Sequence, residues 1–146
     1  FPADSWPIWE KRIRTVETHG MEPLVEPTIE TWFTGPFCEQ RRDVTDRVRA
    51  MLRTTPPQGY AGCCHAIPKI NTTERLGAIR CPTLVIVGAD DPRTPVAAAR
   101  TIHEALPSSE LAVLESASHL SNMEQPEAFN EAMVGFLGNV MARRSA

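Results

Sequence analysis

The apolar positions of this chain change period once, and the change divides the sequence near residues 68–80. Before that point nothing alternates in the two-residue rhythm of a strand. Trp9, Ile13 and Val16 recur at helical spacing, and His19-Gly20 closes the run. A glycine just past the last turn is a common helix stop, because it accepts a left-handed backbone at no steric cost. Pro23 and Pro27 bracket a short helix through Leu24, Val25, Ile29, Trp32 and Phe33, which Thr34-Gly35-Pro36 ends. Val44, Val48, Met51 and Leu52 make the next helical face, broken by Thr54-Thr55-Pro56-Pro57. A further helical piece covers about 59–66. The first half thus reads as short helices separated by prolines.

The second half has a different character. Residues 71–78 form a polar lead-in. The run 83–87 is continuously apolar and rich in β-branched residues, which suits a strand of a parallel sheet covered on both faces. Residues 95–106 read as a helix with Pro95 in its first turn and Ala97, Ala98, Ile102 and Leu106 on its apolar side. A second strand follows over 110–114. The last helix covers 126–141, again opened by proline, with Phe129, Met133, Phe136, Leu137 and Val140 as its buried stripe. Strand, helix, strand, helix is a βαβ unit, so the strands are parallel and the crossover right-handed. The fold class is α/β. Two parallel strands are marginal alone in water, and strands this apolar call for more sheet beside them. The remaining part of the sheet is expected to lie outside this chain. The expected organisation is a helical region over 1–70 and a βαβ region over 71–146.

Composition narrows the classes. With 146 residues one ordinary domain is expected, and a formal net charge of −3 argues against a general nucleic-acid binder. No apolar run approaches the ~20 residues needed to span a bilayer, so no membrane role is expected. The chain opens on Phe1-Pro2 rather than Met and lacks a basic start with an apolar stretch behind it. It is expected to be a processed, trimmed or excised product; these residues hold no signal peptide, and a targeting signal upstream of them would not be seen. Cys38, Cys63, Cys64 and Cys81 fit neither a disulfide framework nor zinc-ligand spacing, because two of them are adjacent. They read as small buried residues in a reducing cytoplasm, with no metal.

Candidate chemistry sits just past the two strands. Asp90 and Asp91 follow the first, and His119 follows the second. In parallel sheets catalytic groups gather outside the carboxyl ends of strands, so an acid and a histidine there can share one crevice. A histidine takes and returns a proton near neutral pH, and works best when a carboxylate fixes its tautomer. A plainer reading stays open for each residue alone: a turn-forming Asp before Pro92, a surface histidine after a capping Ser118. The nucleophile of such a site is not in evidence. No Gly-x-Ser-x-Gly occurs, and Ser5, Ser108, Ser109, Ser116, Ser118, Ser121 and Ser145 all lack that setting.

The loop Gly88-Ala89-Asp90-Asp91-Pro92-Arg93-Thr94-Pro95 and the segment from Ala117 through His119 to Phe129 resemble the acid and histidine loops of the α/β-hydrolase family. The resemblance covers 74–143 and implies Asp91 as triad acid and His119 as base, in the nucleophile–acid–base order of that fold. More narrowly, Glu30-Thr31-Trp32-Phe33-Thr34, Gly59 to Ile67 and Ser118-His119-Leu120-Ser121-Asn122 are similar to 3-oxoadipate enol-lactonases. That likeness implies hydrolysis of a small anionic lactone in bacterial degradation of protocatechuate and catechol, with no cofactor. It makes 1–70 a cap over the substrate, with Trp32 and Phe33 as candidate walls or, equally, cap core. It also implies an amino-terminal hydrolase segment, as partner, that carries the serine and the oxyanion loop. The substrate anion needs a cation, and Arg41, Arg42, Arg47 and Arg49 are alternatives. Of the other histidines, His103 reads as exposed on its helix, His65 as a cap residue near the cleft and His19 as a helix end.

Other activities fit the same fold: an esterase, a carbon–carbon bond hydrolase or a cofactor-free haloperoxidase. A non-catalytic chain that binds a partner through its open sheet edge is the reading from a different class.

Overall fold

A computed structural model describes residues 6–144, which divide into two units. The first runs to Glu30 and resumes over Cys38–Asn71; the second takes Thr31–Phe37 and the chain from Thr72 onward.

In the first unit α1 (Trp6–His19) ends as its sequence predicts. Gly20 has φ 70°, and its N–H returns to the Val16 carbonyl at 3.0 Å. Val16, Met21, Leu24 and Ala61 form a core against which Tyr60 packs. Arg12 binds the Tyr60 hydroxyl at 2.7 Å and the Thr28 hydroxyl at 3.0 Å, tying α1 to the neighbouring helices. Helix α2 (Glu22–Trp32) corrects the expectation that Pro27 bounds a helix, for Pro27 lies inside it. Proline removes one backbone hydrogen bond there, but Leu24, Val25, Thr28 and Ile29 are all buried on either side of it. A short α3 (Gly35–Gln40), which the first unit shares from Cys38 onward, leads to α4 (Arg42–Thr54), then α5 (Pro57–Ala66) and a 3₁₀ turn over Ile67–Lys69. On α4 the buried residues are Thr45, Val48 and Leu52, whereas Met51 is 68% exposed and not part of the face. Arg49 and Arg53 reach back from α4 to Glu26 and Glu22 of α2.

In the second unit a 3₁₀ turn over Thr73–Ala78 ends the polar lead-in. Strands β1 (Thr83–Gly88) and β2 (Ser109–Leu114) pair in parallel, from Thr83 opposite Ser109 to Gly88 opposite Leu114. Helix α6 (Val96–Ala105) makes the crossover, and both it and α8 (Pro126–Arg144) pack on the two strands. Between β2 and α8 lies the one-turn helix α7 (Ser121–Glu124).

Burial departs from the periodicity in this unit. Only Val87 and Gly88 of β1 are buried, and its first four residues are half-buried. On α6 Ala99 is covered, as is Leu106 just past its end, but Ala97 and Ala98 are exposed and Ile102 is 42% exposed. The stripe on α8 is open, with Met133, Val134, Leu137 and Met141 exposed and Phe129, Phe136 and Val140 half-buried. Two strands, the whole sheet among the described residues, offer too little surface to cover both helices. All four cysteines are free, and only Cys64 is buried, which pushes its thiol up; Cys63 and Cys81 are exposed and Cys38 half-buried. No helix among the described residues is long and apolar enough to cross a membrane.

Candidate active site

The register sets the site. Because Gly88 lies opposite Leu114, the loops leaving the two strands start side by side. Ala89 N–H donates to Leu114 O and Asp90 N–H to Ala117 O, both at 2.9 Å. The approach is so close that a Cβ on Gly88 would stand 2.2 Å from the Ser118 carbonyl oxygen and 2.3 Å from that of Ala117. Both neighbours are backbone, which cannot swing aside. Gly88→Ala is therefore expected to cost about 1–3 kcal/mol or more, as overpacking does, and to displace the loop that carries His119. A urea titration against the parent protein checks this, and an unchanged midpoint would contradict it.

Asp91 turns inward and Asp90 outward. The Asp91 side chain is 4% exposed, and its Oδ2 lies 2.8 Å from His119 Nδ1. Oδ1 accepts the backbone N–H of Arg93 at 2.7 Å and of Thr94 at 3.0 Å. Oδ2 also accepts the Thr94 hydroxyl at 2.7 Å. Burial pushes this carboxyl up, but the Thr94 hydroxyl, His119 and the two backbone donors outweigh it and hold it below the ordinary carboxylate range. Asp90 is exposed and directs only its backbone into the loop.

His119 is one-third exposed and follows a tightly held segment. The chain turns at Ser116, whose φ is 54°, and Gln125 Nε2 binds its carbonyl at 3.1 Å. Ser118 is buried, and its hydroxyl donates to Thr31 O at 3.0 Å. Leu120 N–H donates to Trp32 O at 3.0 Å. These bonds bring Trp32 beside the histidine, with ring centroids 6.1 Å apart. Phe33 goes elsewhere: it is 1% exposed and stacks on Phe37, so it packs as core rather than facing an open surface.

The pairing sets the histidine's chemistry. An ionised carboxylate only accepts, so Nδ1 carries the proton and Nε2 keeps its lone pair as a base. Among the described residues no serine is hydrogen-bonded to His119, and Ser118 Oγ is occupied by carbonyls. No group of three potential metal ligands occurs among them either.

The remaining candidates separate. Arg41 pairs with Asp43, and Arg49 with Glu26 and Asp46, while Arg42 and Arg47 are exposed on α4. His65 and His19 are exposed. His103 is half-buried rather than exposed, with Nδ1 2.7 Å from Ser109 Oγ. Sequence reasoning missed two residues. Thr94 had a readable signal, since an Asp followed three positions later by Thr suits a side-chain-closed turn. Glu124, buried beneath the histidine loop, had none.

The sequence profile of the Alpha/beta hydrolase family matches residues 2–132. The chain is 38% identical over 125 residues to 3-oxoadipate enol-lactonase 2 of Acinetobacter baylyi, covering 86% of this chain and 46% of that protein. Its structure is similar to the enol-lactonase from Burkholderia xenovorans, with a TM-score of 0.87, 31% identity, and 90% of this chain and 50% of that one covered. It is also similar to a thermophilic esterase from Thermogutta terrifontis, with a TM-score of 0.86, 26% identity, and 96% and 52% covered. The chain spans about half the length of the curated relatives it matches.

Proposed function

This chain belongs to the alpha/beta hydrolase family, and we propose that it supplies the acid and base of a serine-dependent hydrolase acting on 3-oxoadipate enol-lactone. The observation that carries the chemistry is the 2.8 Å bond from His119 Nδ1 to the buried Asp91. The enol-lactonases to which the chain is similar carry the choice of substrate. In this reading 1–70 is the cap, 71–146 belongs to the catalytic core, and the serine lies on a segment outside these residues.

The reaction then runs as two acyl transfers. The serine hydroxyl oxygen attacks the lactone carbonyl while His119 Nε2 takes its proton, and Asp91 stabilises the imidazolium. The ring C–O bond breaks, and the imidazolium returns the proton to the departing enol oxygen. The same nitrogen next deprotonates a water, which attacks the acyl-enzyme and frees the carboxylate and the serine. Trp32 supplies a wall that excludes water on the histidine side, and Phe33 supports it from the core. The chemistry calls for no metal or organic cofactor.

A second reading, an esterase of wider scope, is favoured by the likeness to the thermophilic esterase. A substrate panel on the complete hydrolase separates the two. The kcat/KM for the enol-lactone is expected to exceed that for simple aryl esters by roughly 10²-fold. A preference for aryl esters would replace the lactonase assignment.

A further inference from the structure

Glu124 is a buried carboxylate, 7% exposed, that the hydrolytic steps above leave unused. Its Oε1 accepts both the N–H and the hydroxyl of Thr34, each at 2.8 Å, and its Oε2 accepts the N–H of Ser118. Every hydrogen bond its side chain makes is one it accepts, the pattern of an ionised carboxylate. Among the described residues no cation pairs with it, so its desolvation is offset by these three donors alone.

The donors come from two segments that matter to the proposed site. Ser118 immediately precedes His119, and Thr34 stands two positions beyond Trp32. We infer that Glu124 is a positioning residue for the hydrolysis, holding the base His119 and the aromatic wall Trp32 in fixed register through Ser118 and Thr34. The inference rests on the hydrolase reading for its consequence and on the geometry of Glu124 for its substance. A carboxylate is required because donors approach both oxygens. An amide has one oxygen and one NH₂, so with Gln at this position a donor meets a donor on one side. Thr34 presents two donors and Ser118 one, so the amide oxygen stays toward Thr34, the NH₂ faces the fixed backbone N–H of Ser118, and the loop entering His119 must shift. Misplacing a catalytic group by a fraction of an ångström to an ångström costs on the order of 10- to 100-fold in rate.

The test uses the complete hydrolase. In Glu124→Gln, kcat per folded molecule is expected to fall about 10- to 100-fold, and the downfield proton resonance of the His119 Nδ1–H to move or broaden. A kcat within about twofold of the parent with an unchanged resonance, whatever happens to Tm, would overturn the inference and leave Glu124 a purely structural carboxylate. Should that variant not fold, Thr34→Val decides, because it removes the hydroxyl donor to Glu124 and keeps the Thr34 N–H, at the further loss only of the 3.4 Å bond that Phe37 N–H makes to that hydroxyl. A raised KM or a displaced resonance supports the role, and parental values of both overturn it. If the parent enzyme hydrolyses no ester or lactone, the hydrolase reading fails by itself, and the resonance still reports whether Glu124 holds His119.

Discussion

His119→Ala in the complete hydrolase is expected to lower kcat by roughly 10⁴- to 10⁶-fold with little change in KM. The imidazole would act in both halves of the reaction, so its removal leaves the serine without a base and the departing oxygen without an acid. In the proposed reading substrate contacts come from the cap and would not pass through this imidazole, which is why KM is expected to hold. Residual turnover would come from binding and oxyanion stabilisation alone. Single-turnover kinetics on the purified variant check this. Turnover within about tenfold of the parent would remove His119 from the mechanism and with it the serine-hydrolase reading.

Asp91→Asn is expected to cost about 10⁴-fold in kcat while leaving the fold intact. The reason lies in the four donors around the carboxylate. Oδ1 accepts two backbone N–H groups that cannot turn, so an asparagine must keep its oxygen there. Its NH₂ then occupies the place of Oδ2 and points a proton at His119 Nδ1. Nδ1 becomes an acceptor, the proton moves to Nε2, and the ring can no longer take one from a nucleophile. The same contacts set an acid dependence. The Asp91 carboxyl lies below its ordinary value in the folded state. The stability it contributes is therefore present above the unfolded value of about 3.9 and lost as pH falls through the lower folded one. Asparagine has no such ionisation, so this acid-dependent part of stability should vanish in the variant. A pH series of denaturant midpoints, paired with kcat measurements, tests both effects. A parental kcat in the variant would show that the acid does not set the histidine tautomer.

Much of this architecture is legible in local pattern because local chemistry dictates it. The β-branched run of β1, the proline-opened α8 and the glycine that stops α1 are each decided within a few residues. The βαβ order follows from those elements and the handedness of L-amino acids. The order of acid loop and histidine loop is likewise written along the chain. Burial is not, since it depends on what else packs nearby. Periodicity predicts a covered stripe on α8, and the stripe is open because the described sheet has two strands. Phe33 and Trp32 are adjacent aromatics with equal claims in the sequence, yet one is core and the other stands beside His119. Asp90 and Asp91 were equally placed past the strand on pattern alone. Tertiary structure separates them, because the turn after Gly88 directs one carboxylate to solvent and the other to four donors. Glu124 gave no sign of itself, since its partners lie six and ninety positions away and only the folded chain brings them to one carboxylate.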